Sequence, residues 1–196
     1  MAISWTGTTF QGTPCHIGDG PWGTLDYRDP SNRRELQNVE LHHFDVNVEK
    51  LRGGRSGTAI ADIGYTLRAF PNHHRALKSM AYWGWQNRGK NNDKRISPEC
   101  YFQHAVELFP DDYTALKIYG VYLHKAGKLN QALIQYKSAE RIIPNSSELQ
   151  YNIGLVNFAL NDYPKALEYA RKAYKNGYPL PGLRNKLKQA GEWKAD

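Results

Sequence analysis

Three related segments, each containing a proline, recur along the chain and restrict the folds it can adopt. They read FPNHHRAL from residue 70, FPDDYTAL from residue 109 and IPNSSELQ from residue 143. Their prolines, Pro71, Pro110 and Pro144, are 39 and 34 residues apart. A period of about 20 to 50 residues is typical of proteins in which each repeat packs only on its neighbours. The spacing therefore predicts a stack of repeats.

The second and third segments have the spacing of amphipathic helices. An offset of 34 residues aligns three pairs of small residues without a gap: Gly120 with Gly154, Ala132 with Ala166, and Ala139 with Ala173. Within one segment, Ala132, Tyr136 and Ala139 recur at i, i+4 and i+7, as on one face of a helix. Gly127 fits a helix end, and Asn161 and Asp162 fit the turn of the next segment. Each segment therefore predicts a helical hairpin with a short polar turn.

These hairpins resemble the tetratricopeptide repeat family, which has a 34-residue pattern of small and aromatic residues. Residues 113–146 match the pattern through Gly120, Ala132, Tyr136, Ala139 and Pro144, and residues 147–180 match it through Ile153, Gly154, Ala166, Ala170 and Ala173. Tyr178 stands where the pattern expects proline, and Pro179 follows it. The resemblance implies an all-α solenoid of helical hairpins.

The expected repeat array covers residues 57–196. It consists of a half-repeat at 57–71, repeats at about 72–112, 113–146 and 147–180, and a capping helix at 181–192. The first full repeat has an enlarged turn after Gln86. The half-repeat reads as the second helix of a hairpin that lacks its first helix. Residues 1–56 are rich in glycine, proline and aspartate and predict an irregular extension with a short helix near 46–51.

Two histidine pairs, at 42–43 and 73–74, raise the question of a metal site. Adjacent helical residues point about 100° apart, whereas helix chelation favours i, i+4 spacing. His73 and His74 also occupy a helix start that the sibling segments fill with other residue types. We therefore interpret that pair as a repeat boundary.

The sequence predicts no catalytic residue, cofactor or metal. Gly18, Gly20 and Gly23 form a G-x-G-x-x-G string, but Pro21 interrupts it and no strand–turn–helix context surrounds it. Glu40 and His43 form one E-x-x-H motif without the second copy that a di-iron site needs. A metal-dependent enzyme is the alternative from a different class.

Charge and hydropathy restrict the class of partner. The net charge of +7 favours acidic partners, but the cations are scattered with no block of like charge, so nucleic acid is a minor alternative. No apolar run approaches the roughly 18 residues of a membrane span, so we expect no membrane insertion. The start of the chain lacks the pattern of a signal peptide.

In the tetratricopeptide family, the first helix of each hairpin lines a concave groove. By position, the resemblance implies a basic and aromatic lining composed of Arg75, Lys78, Tyr82, Trp85, Lys117, Val121, His124, Tyr151, Asn152, Leu155 and Phe158. Such a lining fits a peptide with acidic or aromatic side chains. The chain's own N-terminal segment is an alternative occupant. Lys117 and Asn152 match part of a family clamp for carboxylates, but Ile118 and Val121 replace its other residues.

Cys15 and Cys100 permit one disulfide, which would close a loop of 84 intervening residues and indicate an oxidising compartment. Residues 25–77 also resemble a group of exported bacterial tetratricopeptide proteins without an established activity, which implies an extracytoplasmic location. The predicted function is a non-enzymatic scaffold for a protein or peptide partner, with a glycan as another candidate ligand. The alternative is a self-assembling subunit of an oligomer or extracellular filament, joined through the half-repeat and the N-terminal arm.

Overall fold

A computed structural model describes residues 7–18, 20–88 and 97–193. These ranges contain ten α-helices: α1 (Arg33–His43), α2 (Val46–Glu49), α3 (Ala59–Ala69), α4 (His74–Gln86), α5 (Pro98–Leu108), α6 (Tyr113–Lys125), α7 (Leu129–Ile142), α8 (Ser147–Ala159), α9 (Tyr163–Lys175) and α10 (Gly182–Gln189). The predicted all-α class is confirmed. Most of the enlarged turn predicted after Gln86 lies outside the described residues. None of the helices in these ranges is long and apolar enough to cross a bilayer.

The chain forms two compact units, residues 1–118 and 119–196, and the division falls within α6. In the first unit, α3 lies against α1. Val39 of α1 is buried with Ala69 and Phe70 at the end of α3, and Leu36 and Tyr65 pack beside them. The prediction of an unpaired half-repeat at 57–71 is therefore wrong, because its partner helix lies in the segment that we expected to be irregular.

The N-terminal segment of the first unit folds back on itself and lies on α5. The amide of Thr9 donates to the carbonyl of Thr13 at 2.8 Å, which closes a short turn. The side-chain amide of Gln103 then exchanges two hydrogen bonds with the backbone of Thr8, at 2.7 and 3.2 Å. A disulfide joins Cys15 to Cys100, with their Cα atoms 5.6 Å apart. The extension is thus tethered to a helix of its own chain.

In the second unit, hairpins pack closely because small residues face large ones. A Cβ atom at Gly120 would lie 2.4 Å from the ring of Tyr136, and one at Gly154 would lie 2.5 Å from Leu183 of α10. The turn between α8 and α9 contains Asn161, whose φ of 61° is left-handed. These small residues therefore mark the contacts that set the distance between helices.

The capping helix α10 closes the second unit. Its Leu183 and Leu187 are fully buried against the small residues of α9. The buried cluster consists of Tyr151, Ala166, Ala170, Ala173, Leu183 and Leu187. Burying two leucines of an eight-residue helix with a polar outer face is what a terminal cap of a repeat stack requires.

Candidate functional site

The first helix of the first full repeat, α4, begins at a histidine cap. The Nδ1 atom of His73 accepts a hydrogen bond from the amide of Ala76 at 3.1 Å, and its Nε2 atom lies 3.0 Å from Glu40. Its ring is fully buried between Tyr27 and Phe44. This burial lowers the pKa of His73. The interpretation of the pair as a helix start is confirmed.

His74, the second member of the pair, pairs with Asp112 at 2.8 Å. The buried Asp112 carboxylate also accepts from the Asn72 side chain at 2.9 Å and from the amides of Thr114 and Ala115 at 3.0 Å. Burial favours a higher pKa and is the largest influence, but the hydrogen bonds from His74 and Ala115 hold the pKa of Asp112 below its usual value. Asp112 therefore fastens the start of α6 to the start of α4.

Arg75, the first predicted groove residue, is held by the N-terminal helices. Its guanidinium contacts Glu49 at 2.6 and 3.0 Å and Glu40 at 3.4 Å, and it lies 5.2 Å from the ring of Phe44. The hydroxyl of Ser79 donates to the carbonyl of Glu49 at 2.8 Å. The α2 helix thus lies along the first turns of α4, as in the alternative in which the chain's own N-terminal segment occupies the groove.

Beyond this contact, α4 keeps an exposed face. Lys78 and Tyr82 lie one turn apart on it, and the side chain of Tyr82 is 52% exposed. Trp85, one turn further, is partly buried. At the end of the first unit, the ammonium of Lys117 lies 5.8 Å from the ring of Tyr113. An exposed tyrosine beside a lysine offers both an apolar surface and a charge to a ligand.

The predicted groove residues of the second unit are more buried. Tyr151 is only 8% exposed and stacks on Tyr178 with ring centroids 4.1 Å apart. Leu155 and Phe158 pack against the cluster that contains α10. Val121, His124 and Asn152 are partly buried, and burial lowers the pKa of His124. Tyr151, Leu155 and Phe158 are thus mainly packing residues.

One cluster in the first unit has the composition of a catalytic triad, which sequence patterns did not reveal. The Nδ1 atom of His43 lies 3.0 Å from Asp62 and 3.3 Å from the hydroxyl of Ser56, and this hydroxyl donates to Asp62. A triad needs its acid and its nucleophile on different nitrogens of the imidazole. Here both contact the same nitrogen. The cluster instead ties the loop before α3 to the end of α1.

Glu40 and His43, which form the E-x-x-H motif, have different partners: Glu40 pairs with His73, and His43 pairs with Asp62. Among the described residues, no group of three or more histidine, cysteine, aspartate or glutamate side chains could hold a metal ion. An open hollow of about 450 Å³ lies elsewhere in the first unit and is lined by Asp45, Asn47, Arg52, Gly53, Gly54 and Arg55.

A comparison with protein families matches residues 86–147 and 140–179 to "Tetratricopeptide repeat". A comparison with curated proteins finds no match. Among solved structures, Pseudomonas aeruginosa PilF aligns with a TM-score of 0.56 and 18% identity over 84% of this chain and 71% of that one. A crystal structure of MamA aligns with a TM-score of 0.51 and 16% identity over 84% of both chains. A MamA structure from AMB-1 gives 0.45 and 17% identity over 60% of this chain and 66% of that chain.

Proposed function

Because the chain belongs to the tetratricopeptide repeat family through residues 86–179, we propose that it is a non-enzymatic scaffold that binds a peptide segment of a partner protein through α4. The family assignment supports a protein-interaction role. The observation that carries the choice of site is the exposed pair Lys78 and Tyr82. Tyrosine is enriched at binding hot spots because it combines a large apolar ring with a hydroxyl.

The ligand class follows from these two side chains. Lys78 favours an acidic residue, and the ring of Tyr82 favours an apolar or aromatic neighbour. Arg75 is already paired with Glu49, so the peptide lies beyond the first turns of α4.

A displayed library of random peptides tests this proposal. We expect the protein to enrich peptides with an acidic residue near an apolar one, and Lys78→Glu with Tyr82→Ala to abolish most of the binding. The matched control, Lys50→Glu with Ile134→Ala, changes one exposed cation and one exposed apolar residue elsewhere and should bind normally. Equal binding by both double variants would show that α4 is not the site.

We also place the protein outside the cytoplasm, and the Cys15–Cys100 disulfide supports this location because such bonds persist in oxidising compartments. A mass measurement of the protein from its native host without reductant should find two hydrogens fewer than for the dithiol. Two free thiols would contradict the proposed location.

Two features of the structure argue against the self-assembly alternative. The α3 helix has a partner in its own chain, and the N-terminal arm is tethered to α5. We therefore expect light scattering to give a concentration-independent monomer mass. A mass that grows with protein concentration would favour the oligomer or filament.

A further inference from the structure

The net charge of the chain is concentrated in its second unit. Residues 119–196 contain 12 Lys and Arg and 6 Asp and Glu, a formal net charge of +6, against +7 for the whole chain. Lys172 is neutralised by Glu168 at 2.6 Å and Lys165 by Asp162 at 2.6 Å. Lys175, Lys186 and Lys188 are exposed and have no carboxylate partner in the described part of the chain. The excess of cations therefore lies at the α9–α10 end.

The connection between α9 and α10 has a defined geometry that places Arg184 beside the last turn of α9, which ends at Lys175. The hydroxyl of Tyr174 accepts from the amide of Arg184 at 3.0 Å and donates to the carbonyl of Leu180 at 3.2 Å. Lys175 follows Tyr174 at the end of α9, and Lys188 is one turn beyond Arg184 on the same face of α10. We call Lys175, Leu180, Arg184 and Lys188 the C-terminal basic surface.

Arg184 has hydrogen-bonding capacity that the described residues do not use. Its guanidinium lies 4.3 Å from the ring of Tyr174 and 5.2 Å from that of Trp193, and it makes no ion pair within the described ranges. Its Nε atom is buried without a hydrogen-bond partner there. The rings hold the guanidinium in place without neutralising it. Burial closes the Nε atom to a ligand, so the terminal nitrogens of the guanidinium are the groups that an external anion would meet.

Leu180 distinguishes among the anionic partners that such a surface could bind. Its side chain is 57% exposed in the connection, between Pro179 and Pro181. An exposed apolar side chain among cations is the pattern of a peripheral contact with a charged membrane, in which phosphates meet the cations and the apolar group enters the interface. A nucleic-acid backbone would use the cations but not Leu180.

We propose that the C-terminal basic surface docks on a bilayer that contains anionic phospholipids. Lys175, Arg184 and Lys188 meet the phosphate groups, and Leu180 inserts at the level of the headgroups. Glu192, which follows α10, is the described acidic residue closest in sequence to these cations. This docking is independent of the peptide site on α4, so either role can fail without the other.

Sedimentation with lipid vesicles tests the docking. The full chain should bind phosphatidylcholine vesicles that contain phosphatidylglycerol and should not bind phosphatidylcholine alone. Each cation near an anionic surface contributes about a fivefold gain in partitioning, so Lys175→Gln with Lys188→Gln should weaken binding about thirtyfold. The matched control, Lys50→Gln with Arg52→Gln, removes two exposed cations from the first unit and should bind as the unmodified protein does.

The Leu180→Ser variant distinguishes binding to lipid from binding to other polyanions. It should reduce the vesicle binding that survives at high salt, because screening weakens the contribution of the cations but not that of the apolar side chain. Three results would overturn the proposal: no binding to phosphatidylglycerol vesicles, equal loss in the control pair, or binding to duplex DNA that is as tight as to vesicles and insensitive to Leu180→Ser.

Discussion

At the scale of single residues, Gly120 decides how closely the two helices of a repeat approach. A Cβ at this position would lie 2.4 Å from the ring of Tyr136, which is fully buried. Gly120→Ala should therefore lower the free energy of unfolding by about 1–3 kcal/mol, as overpacking does in other cores. Urea denaturation measures this loss. Gly57→Ala, where a Cβ meets no atom within 4 Å, is the control; equal stability of the two variants would refute the packing argument.

Buried ionisable residues make the stability of the first unit depend on pH. Burial favours a higher pKa for Asp26 and is the largest influence, but hydrogen bonds from Arg28 and Asn72 lower the pKa from 3.8 to about 2. The pKa values of Asp62 and Asp112 are also lowered. A lowered carboxyl pKa stabilises the fold above the unfolded pKa of about 3.9, and this stabilisation is lost as the pH falls towards the native value.

His73 also lowers the stability of the fold on acidification, but it does so at higher pH than the carboxylates. Its pKa is lowered by burial, so below the unfolded value of about 6.5 protons bind preferentially to the unfolded chain. We expect the unfolding free energy to fall from pH 7 to pH 5 and more steeply below pH 4, measured by urea denaturation at each pH. Asp26→Asn should reduce the steep acidic part. Stability that is constant or rises on acidification would contradict this assignment.

The same histidines show which residue-scale features a sequence can predict. That His73 and His74 begin a helix follows from the repeat alignment alone. Their partners Glu40 and Asp112 lie 33 and 38 residues away along the chain, and no local pattern relates them. Long-range pairing of this kind depends on how the helices pack and emerges only with the tertiary structure.

At the scale of whole elements, α1 is a helix that tertiary packing stabilises and that the local sequence pattern does not predict. Its sequence, RRELQNVELHH, contains only three apolar residues, and Val39 alone is buried. Such a segment has little helical periodicity to recognise. It is helical here because it covers the buried face of α3, which includes Phe70 at its end. The repeat pattern predicted α3 but not the helix that completes its hairpin.

The disulfide should make a large contribution to the stability of the first unit. Linking Cys15 to Cys100 restricts an unfolded loop with a sequence separation of 85, which corresponds to about 4.5 kcal/mol in the chain-entropy account. Cys15→Ser with Cys100→Ser should therefore unfold at much lower urea concentration. Reductant should destabilise the unmodified protein and leave the double variant unchanged. Equal midpoints for the oxidised protein and the double variant would contradict the predicted contribution.

The capping helix offers a matched pair of leucines. Leu183 is fully buried against Gly154, whereas Leu180, three residues earlier, is mostly exposed. Leu183→Ala should cost about 2–5 kcal/mol through the cavity that it leaves, and Leu180→Ala should cost under about 0.5 kcal/mol. Urea denaturation compares the two. If Leu183→Ala is as mild as Leu180→Ala, α10 does not close the second unit.

At the scale of the whole molecule, the repeat period predicted the architecture but not which side chains remain exposed. Tyr151, Leu155 and Phe158 occupy positions that line the groove in the family, yet here they contribute to packing with α10. Arg75 is similarly paired with Glu49, from a helix outside the repeats. The family position of a residue could be predicted from its spacing, whereas its exposure depends on the chain's own capping elements. Lys78 and Tyr82 stay exposed and define the proposed site.

Photo-crosslinking from α4 tests the proposed peptide site most directly. A photoreactive phenylalanine analogue replaces Tyr82 in one variant and Ile134, which is 60% exposed on α7, in another. Each variant is irradiated with a peptide selected from the displayed library, and the crosslinked peptide is quantified by mass spectrometry. We expect efficient crosslinking from position 82 and only background from position 134. Background crosslinking from position 82, with the peptide still bound, would contradict it.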